Sequence, residues 1–476
     1  MQTKLHIGGE WIETGAAMPI VNPFTGAEIA RVSLGDERTL DSAIAAARAA
    51  FATTRTAHAH ERAALLRRIA QGIEARREEF AATIVAEAGK PITLTEGEVA
   101  RAICTFTIAA DEAQRWNGGG GEVLALDATP AGAGHTGIAR RFPIGVISAI
   151  TPFNFPLNLV AHKVAPGIAT GNTMVVKPAP KTPLTALMLA EVIAAAGAPP
   201  GQVNFVTCAN EHAARLVTDG RVAMLSFTGS PDVGWPLKTL AGKKRVCLEL
   251  GGNAGVIVHE DADLADAVPL IAAGAFGNAG QSCISVQRIF AHEKIYGELR
   301  ARLIAHIRDK VKTGDPLDRT TVVGPMISRD ALERARARIA NAVAAGGRIV
   351  IGGEVRGPCI DATLLEDVPL SHEACREELF APVATLHRYG DFEEALRFVN
   401  DSRFGLQAGV FTRDTARAFH AFEVLDVGGV LINQVPTWRV ENMPYGGIKD
   451  SGFGREGVRW AMEEMTEIKT MIIRRV

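Results

Sequence analysis

Gly145-Val146-Ile147-Ser148-Ala149-Ile150-Thr151-Pro152-Phe153-Asn154-Phe155-Pro156 is the stretch on which the fold turns. Its first six residues form a short apolar run. Thr-Pro ends it, because proline cannot donate to a sheet ladder and keeps the residue before it out of the helical region. The chain then alternates. Residues 157–170 carry a helical pattern, and 173–176 read as a strand that stops at Lys177-Pro178. A helix over 183–196, a strand over 203–206, a helix over 212–218 and a strand over 223–227 follow. Such alternation predicts a parallel sheet covered by helices. Upstream, Ala-rich segments within 38–115 space apolar residues by three and four, which reads as helix. Downstream the theme returns, with strands expected at 255–258, 285–292, 408–411 and 429–432. The fold class is therefore α/β, in two domains with no repeat of fixed period. Residues 118–137 are Gly-rich and irregular, an excursion from this pattern.

A chain of 476 residues has room for two or three domains, and 47% hydrophobic with 22% charged residues suits a large buried core. A formal net charge of −2, without basic or acidic runs, gives no reason to expect nucleic acid or a membrane surface as partner. No uncharged apolar run reaches the ~18 residues of a membrane span. The N-terminus lacks the apolar core of a signal peptide. The six cysteines are scattered, with neither metal-ligand spacing nor a disulfide framework. No metal site is expected, and the thiols suit a reducing, cytoplasmic location.

One of those cysteines carries the chemistry. Cys283 ends Phe276-Gly277-Asn278-Ala279-Gly280-Gln281-Ser282-Cys283, and Glu249 lies 34 residues upstream in Leu248-Glu249-Leu250-Gly251-Gly252-Asn253. A thiol in a glycine- and amide-rich turn, with a carboxylate closing an apolar strand, is a candidate nucleophile with its base. Alone, such a cysteine reads as well as a small core residue. Together with Asn154, and in this order and spacing, the segments resemble the aldehyde dehydrogenase superfamily. The resemblance runs from Ile7-Gly8-Gly9-Glu10-Trp11 and Asn22-Pro23 to Pro444-Tyr445-Gly446-Gly447-Ile448-Lys449-Asp450-Ser451-Gly452. It implies a Rossmann-type cofactor domain over 1–120 and 144–250 and an α/β catalytic domain over 251–445. It also implies a small β oligomerisation element over 121–143 and 459–476, with a homodimer or homotetramer as the assembly.

Oxidising an aldehyde to an acid needs a nucleophile, an oxyanion site, a hydride acceptor and a base for water. The resemblance gives these roles to the Cys283 thiol, to the Asn154 amide with the Cys283 N–H, to a nicotinamide cofactor and to Glu249. Glu456, in Gly454-Arg455-Glu456-Gly457, matches a second family carboxylate that assists proton transfer; a structural ion pair with arginine is the other reading. The CoA-acylating branch lacks the carboxylate at Glu249, so its presence favours release of a free acid. A CoA-acylating enzyme and a non-catalytic relative on the same fold stand as alternatives.

For the cofactor, Phe227-Thr228-Gly229-Ser230 opens a helix whose first N–H groups suit a pyrophosphate. The resemblance implies NAD or NADP held by Ile150, Thr151, Pro152, Phe153, Gly229, Ser230 and Leu250. It puts Lys177, with Ala179 and Pro180, at the adenosine ribose, and Glu378 and Phe380 at the nicotinamide ribose. Two positions depart from the family pattern. Pro180 stands where many NAD-preferring relatives carry a glutamate, beside Lys181, which either meets a 2′-phosphate or is solvated. Cys208, in Val206-Thr207-Cys208, replaces a glycine near the adenine pocket. The choice of dinucleotide stays open, with the balance on NAD.

For the substrate, relatives that act on apolar aldehydes line the tunnel with aromatic residues. Here Phe155 is followed by Asn158 and His162, one turn apart on one face. Arg101 and Arg439 are the expected cations, with Ser282, Ile284 and Tyr445 beside the thiol. Guanidinium forks suit a short aldehyde bearing a hydroxyl, carboxylate, phosphate or phosphonate. The loop around Arg439 looks like that of the lactaldehyde and phosphonoaldehyde dehydrogenase branches. A satisfied core histidine and interface arginines are the alternative.

Overall fold

A computed structural model of the chain describes residues 3–116 and 121–475. Five parallel strands lie side by side in the order Val203–Phe205, Thr173–Lys177, Val146–Ile150, Val222–Thr228 and Arg245–Glu249. Val146–Ile150 comes first in the chain and sits in the middle. The sheet is built outward from it one way, then the other. Open α/β sheets bind ligands in the crevice where the strand order reverses, and Thr151-Pro152-Phe153-Asn154 leaves from that end. On one flank Leu5–Ile7 and Glu10–Ile12 add antiparallel strands. On the other, Gly452–Phe453 pairs antiparallel with Arg245–Glu249, setting Glu249 opposite Gly452. That pairing draws a segment two hundred residues later in the chain, ending at Glu456, alongside Glu249.

The helix Asn158–Thr170 is buried on nearly every face, with Val160, Ala161, Val164 and Ile168 in the largest apolar cluster. Its first amides have no partner within the helix. The Glu98 carboxylate accepts from Leu157 N at 3.0 Å and Asn158 N at 3.1 Å. Glu98 itself is on the helix Ile92–Arg115.

A second, seven-stranded sheet holds Gly255–Val258, Arg288–His292, Gln407–Phe411 and Gly429–Ile432 as parallel strands, with Val383–Tyr389 and Thr363–Glu366 beyond them. The strand expected at 285–292 begins three residues late. Val286 N and Ser285 Oγ bond back to Gly274 O, at 3.0 and 3.3 Å, and so hold this stretch to the preceding helix. The helix expected at 212–218 starts as a 3-10 turn, Asn210–Ala213, before Ala214–Thr218.

Residues 118–120 of the Gly-rich excursion lie outside the described residues. Beyond them, Glu122–Leu124 and His135–Pro143 form a three-stranded antiparallel sheet with Thr466–Arg474, which pairs residue for residue with His135–Pro143. Val123, Ile468, Met471, Ile472 and Ile473 are exposed on it. Among the described residues no helix is long and apolar enough to cross a membrane.

Candidate active site

The helix Leu264–Phe276 runs into a left-handed turn that aims Cys283. Asn278, Ala279 and Gly280 have φ of 54°, 53° and 63°. Two of the three are not glycine, a conformation that costs of order 1 kcal/mol or more each and clusters at functional sites. Gly280 has no alternative: a Cβ there would lie 2.0 Å from the Ala381 carbonyl oxygen. The Cys283 N–H donates to no acceptor among the described residues.

Asn154 faces this turn from the first sheet. Its side-chain Nδ2 donates to Gln281 O at 3.0 Å, which orients the amide. A buried ion pair fixes the Asn154 backbone. Lys90 Nζ lies 2.5 Å from Glu98 Oε2, donates to Asn154 O at 3.0 Å and sits 3.4 Å from the Phe155 ring centre. Phe155 thus packs on Lys90.

Cys283 Sγ is 3.3 Å from the Tyr445 hydroxyl. Burial pushes the thiol up to about 12, against the pull of that hydrogen bond. Burial raises Tyr445 as well, so its O–H stays protonated and can donate to a thiolate. Glu249 is buried and neither carboxylate oxygen has a hydrogen-bond partner. Burial, then the charge of Glu456, lift it well above the usual carboxylate range. A carboxylate tuned upward is a better base near neutral pH.

Between the sheets is a cleft of about 620 Å³. Pro152, Phe153, Asn154, Gly229, Ser230, Leu250, Cys283, Glu378 and Phe380, all expected site residues, line it together. Phe153 and Phe380 meet edge to face at 5.9 Å. Glu378 Oε1 accepts from Gly252 N at 3.0 Å, and burial holds this carboxyl up at about 7. The helix Pro231–Ala241 opens on the cleft with Ser230 at its N-cap, and the Ser230 side chain bonds none of its first amides. Buried Thr228 Oγ1 has no partner. Val233 N and Gly234 N donate to Ser230 O, which leaves the Asp232 N–H, the Thr228 hydroxyl and the Glu378 carboxylate to suit the phosphates and ribose hydroxyls of a dinucleotide.

Other expected residues lie off this lining. Ile150 pairs with Lys177 across neighbouring strands, and Thr151 N donates to Lys177 O at 3.1 Å. Lys177 Nζ is buried and bonded to Asn210 Oδ1 at 3.0 Å. Ala179 and Pro180 are half-buried just past that strand, and Lys181 is exposed. Cys208 packs in the apolar core rather than at a pocket wall.

The expected substrate residues divide. Arg101, Asn158 and His162 do converge, but on a carboxylate that sequence reasoning missed. Glu441 Oε1 takes Arg101 Nε at 2.7 Å and lies 3.4 Å from Asn158 Nδ2, while Glu441 Oε2 lies 2.6 Å from His162 Nε2. These three are thus engaged with Glu441 rather than unpaired. Glu441 is held well below the ordinary range, despite its burial, chiefly by His162 and Arg101. Glu456 bonds buried Lys163 at 2.9 Å and lies 3.6 Å from His162 Nδ1. Lys163, another residue missed, also donates to Ser226 Oγ at 2.9 Å. Arg439 differs. Its guanidinium stacks 3.6 Å over the Tyr445 ring, 4% exposed, and Nε and Nη2 have no hydrogen-bond partner. Ser282 and Ile284 flank the thiol; Ile284, Tyr445 and Leu406 form a small apolar cluster against Cys283.

A thiol and an oriented amide that line a dinucleotide-type cleft, with a tuned carboxylate next to the lining residue Leu250, suit a cysteine-dependent oxidoreductase on an α/β scaffold. Comparison with known proteins agrees. Residues 11–471 match the model of the aldehyde dehydrogenase family. The chain is 39% identical to the 3-sulfolactaldehyde dehydrogenase of Priestia aryabhattai, over 99% of this chain and 98% of that protein. An aldehyde dehydrogenase from Physcomitrella patens, solved with its reaction product succinate, superposes with a TM-score of 0.97 at 42% identity, covering 99% of this chain and 98% of that one. Glyceraldehyde-3-phosphate dehydrogenase from Methanocaldococcus jannaschii, solved with NADP, gives 0.92 at 37% identity, with 97% of this chain and 100% of that one covered. The chain belongs to the aldehyde dehydrogenase family, whose members are NAD(P)-dependent oxidoreductases.

Proposed function

We propose that this enzyme oxidises a short anionic aldehyde to the free acid through a thioester on Cys283. Arg439 carries the reading. Glu441 engages Arg101 and His162, and Glu456 engages Lys163. Arg439 is left with two buried donors and no hydrogen-bonded acid; its nearest carboxylate oxygen is Glu456 Oε2 at 3.7 Å. Buried unpaired donors are costly, and an anionic substrate group would satisfy them beside the thiol. The relatives' names point the same way, since sulfolactaldehyde and glyceraldehyde 3-phosphate are short anionic aldehydes.

In the chemistry, Cys283 Sγ forms a bond to the carbonyl carbon and the thiol proton passes to water in the cleft. The Asn154 amide and the Cys283 N–H hold the oxyanion. A bound nicotinamide dinucleotide supplies the hydride acceptor. Glu249 then takes a proton from water as the water oxygen attacks the thioester, the C–S bond breaks, and the acid leaves. Glu249 thus selects hydrolysis over transfer to CoA. Gly229, Ser230, Leu250, Glu378 and Phe380 would hold the dinucleotide, with Lys177 at its adenosine ribose. NAD is favoured by the engagement of Lys177 with Asn210 and the exposure of Lys181, which leave no ordered cation at a 2′-phosphate.

Residues 1–120 with 144–250, 251–445, and 121–143 with 459–476 are read as cofactor, catalytic and oligomerisation units. The exposed apolar residues of the three-stranded sheet suit a homodimer or homotetramer. Six free cysteines suit the cytoplasm.

Arg439→Leu tests the substrate assignment. Hydrogen bonds to a charged group contribute ~1.5–3 kcal/mol. A loss of ~2–3 kcal/mol lowers kcat/KM for 3-sulfolactaldehyde or succinic semialdehyde roughly 30- to 150-fold. Propanal should change little. Equal losses for both substrates would make Arg439 structural.

A further inference from the structure

Each thioester hydrolysis leaves the attacking water's proton on a buried base. Glu249 is 3% exposed, and its oxygens have no hydrogen-bond partner among the described residues. The neighbouring carboxylate is Glu456, drawn in by the antiparallel pairing of Gly452–Phe453 with Arg245–Glu249. Glu456 lies 3.7 Å from Arg439, and two arms lead on from it. One passes from Oε1 to Lys163 Nζ at 2.9 Å and on to Ser226 Oγ, which is 2% exposed, and ends in the core. The other passes from Oε2 to His162 Nδ1 at 3.6 Å, from His162 Nε2 to Glu441 Oε2 at 2.6 Å, and from Glu441 Oε1 to Arg101 Nε at 2.7 Å. Arg101 is 32% exposed and Glu441 3%, so this arm ends one residue short of the surface.

We propose that His162 and Glu441 form the proton exit of the active site. The imidazole hands a proton across its ring: Nδ1 takes one from Glu456 as Nε2 gives one to Glu441, and Glu441, 3% exposed, gives it up when water enters at the Arg101 margin. Both ends of the ring are placed for this. Buried His162 Nδ1 and Glu456 Oε2 each lack a hydrogen-bond partner and face one another, so a shift of well under 1 Å closes the chain. The other charges around the ring are Lys163 on its own helix and Arg439 on the loop that carries Glu441. Positive charge on these two side chains opposes a proton resting on the histidine, which favours passage over storage. The inference deepens the proposed mechanism and rests on Glu249 as the base.

His162→Gln and Glu441→Gln test it, with propanal as substrate so that anion recognition plays no part. NADH fluorescence enhancement on binding verifies that each variant is folded. In rapid mixing both variants should give a burst of NADH close to one per site, followed by a steady state slowed at least ~10-fold, a typical effect of removing a proton-transfer group. Added imidazole should restore much of the His162→Gln rate, and the solvent deuterium isotope effect on kcat should rise. If His162→Gln does not fold, Glu441→Gln carries the same expectation. Unchanged kcat in a folded variant, or a slowed rate that ignores both imidazole and D2O, overturns the relay. A missing burst in Glu249→Gln run alongside would count against the thioester mechanism itself.

Discussion

Lys90→Met probes what holds the oxyanion site in place. Lys90 and Glu98 are 1% and 0% exposed, with Nζ and Oε2 2.5 Å apart. The ammonium also anchors the Asn154 carbonyl at 3.0 Å. Methionine fills the same space without the charge and leaves Glu98 with only the amides of Leu157 and Asn158 as donors. Removing one partner of a buried pair costs ~3–5 kcal/mol. The two amides compensate in part, so a loss of about 3 kcal/mol is expected from a pair of this kind. Lys90→Met/Glu98→Gln removes both charges, and the glutamine oxygen still accepts from the helix start. The double variant should recover about 2 kcal/mol of that loss, because neutral replacement of a buried pair is nearly free. Urea unfolding of the three proteins measures this. kcat reads the second effect: with its carbonyl anchor gone, Asn154 drifts, and a fall of about tenfold is expected in both variants, short of the 10²–10³ for losing an oxyanion donor outright. A single variant as stable as wild type, or a double variant no more stable than the single, would refute the reasoning.

Two further outcomes concern the thiol. Burial holds the Cys283 proton up to about 12, above its ordinary value near 9, so the reactive thiolate is scarce at neutral pH in the free enzyme and grows as pH rises. Iodoacetamide labelling of Cys283, mapped by mass, should quicken by roughly tenfold per pH unit between pH 7 and 10; a plateau below pH 8 would contradict the assignment. Cys283→Ala should abolish aldehyde oxidation while NADH still binds, and turnover above a few per cent would remove Cys283 as nucleophile.

The parallel core was legible because its strands are local apolar runs, two of them closed by Thr-Pro and Lys-Pro. The triad of Cys283, Glu249 and Asn154 was legible because each sits in a short segment of unusual composition. The network behind it was not. Glu441 meets Arg101 across 340 residues and His162 across 279, and nothing in its own neighbourhood marks it. Lys163 did leave a signal, a lysine inside an otherwise apolar helix, where an unpaired charge would be prohibitive. Reading His162 and Arg101 as tunnel residues identified polar groups that do gather around one carboxylate, but which of them face substrate depends on where their counter-charge lies. Only tertiary packing decides that.

Acyl-enzyme trapping in Glu249→Gln tests the central claim most directly. The amide cannot take a proton from water, so thioester hydrolysis should stall after hydride transfer. Mixed with propanal and NAD or NADP and quenched in acid, the variant should give one NADH or NADPH per site and one propanoyl group on the peptide containing Cys283. No adduct together with full steady-state turnover, or an adduct on any other cysteine, would contradict the account.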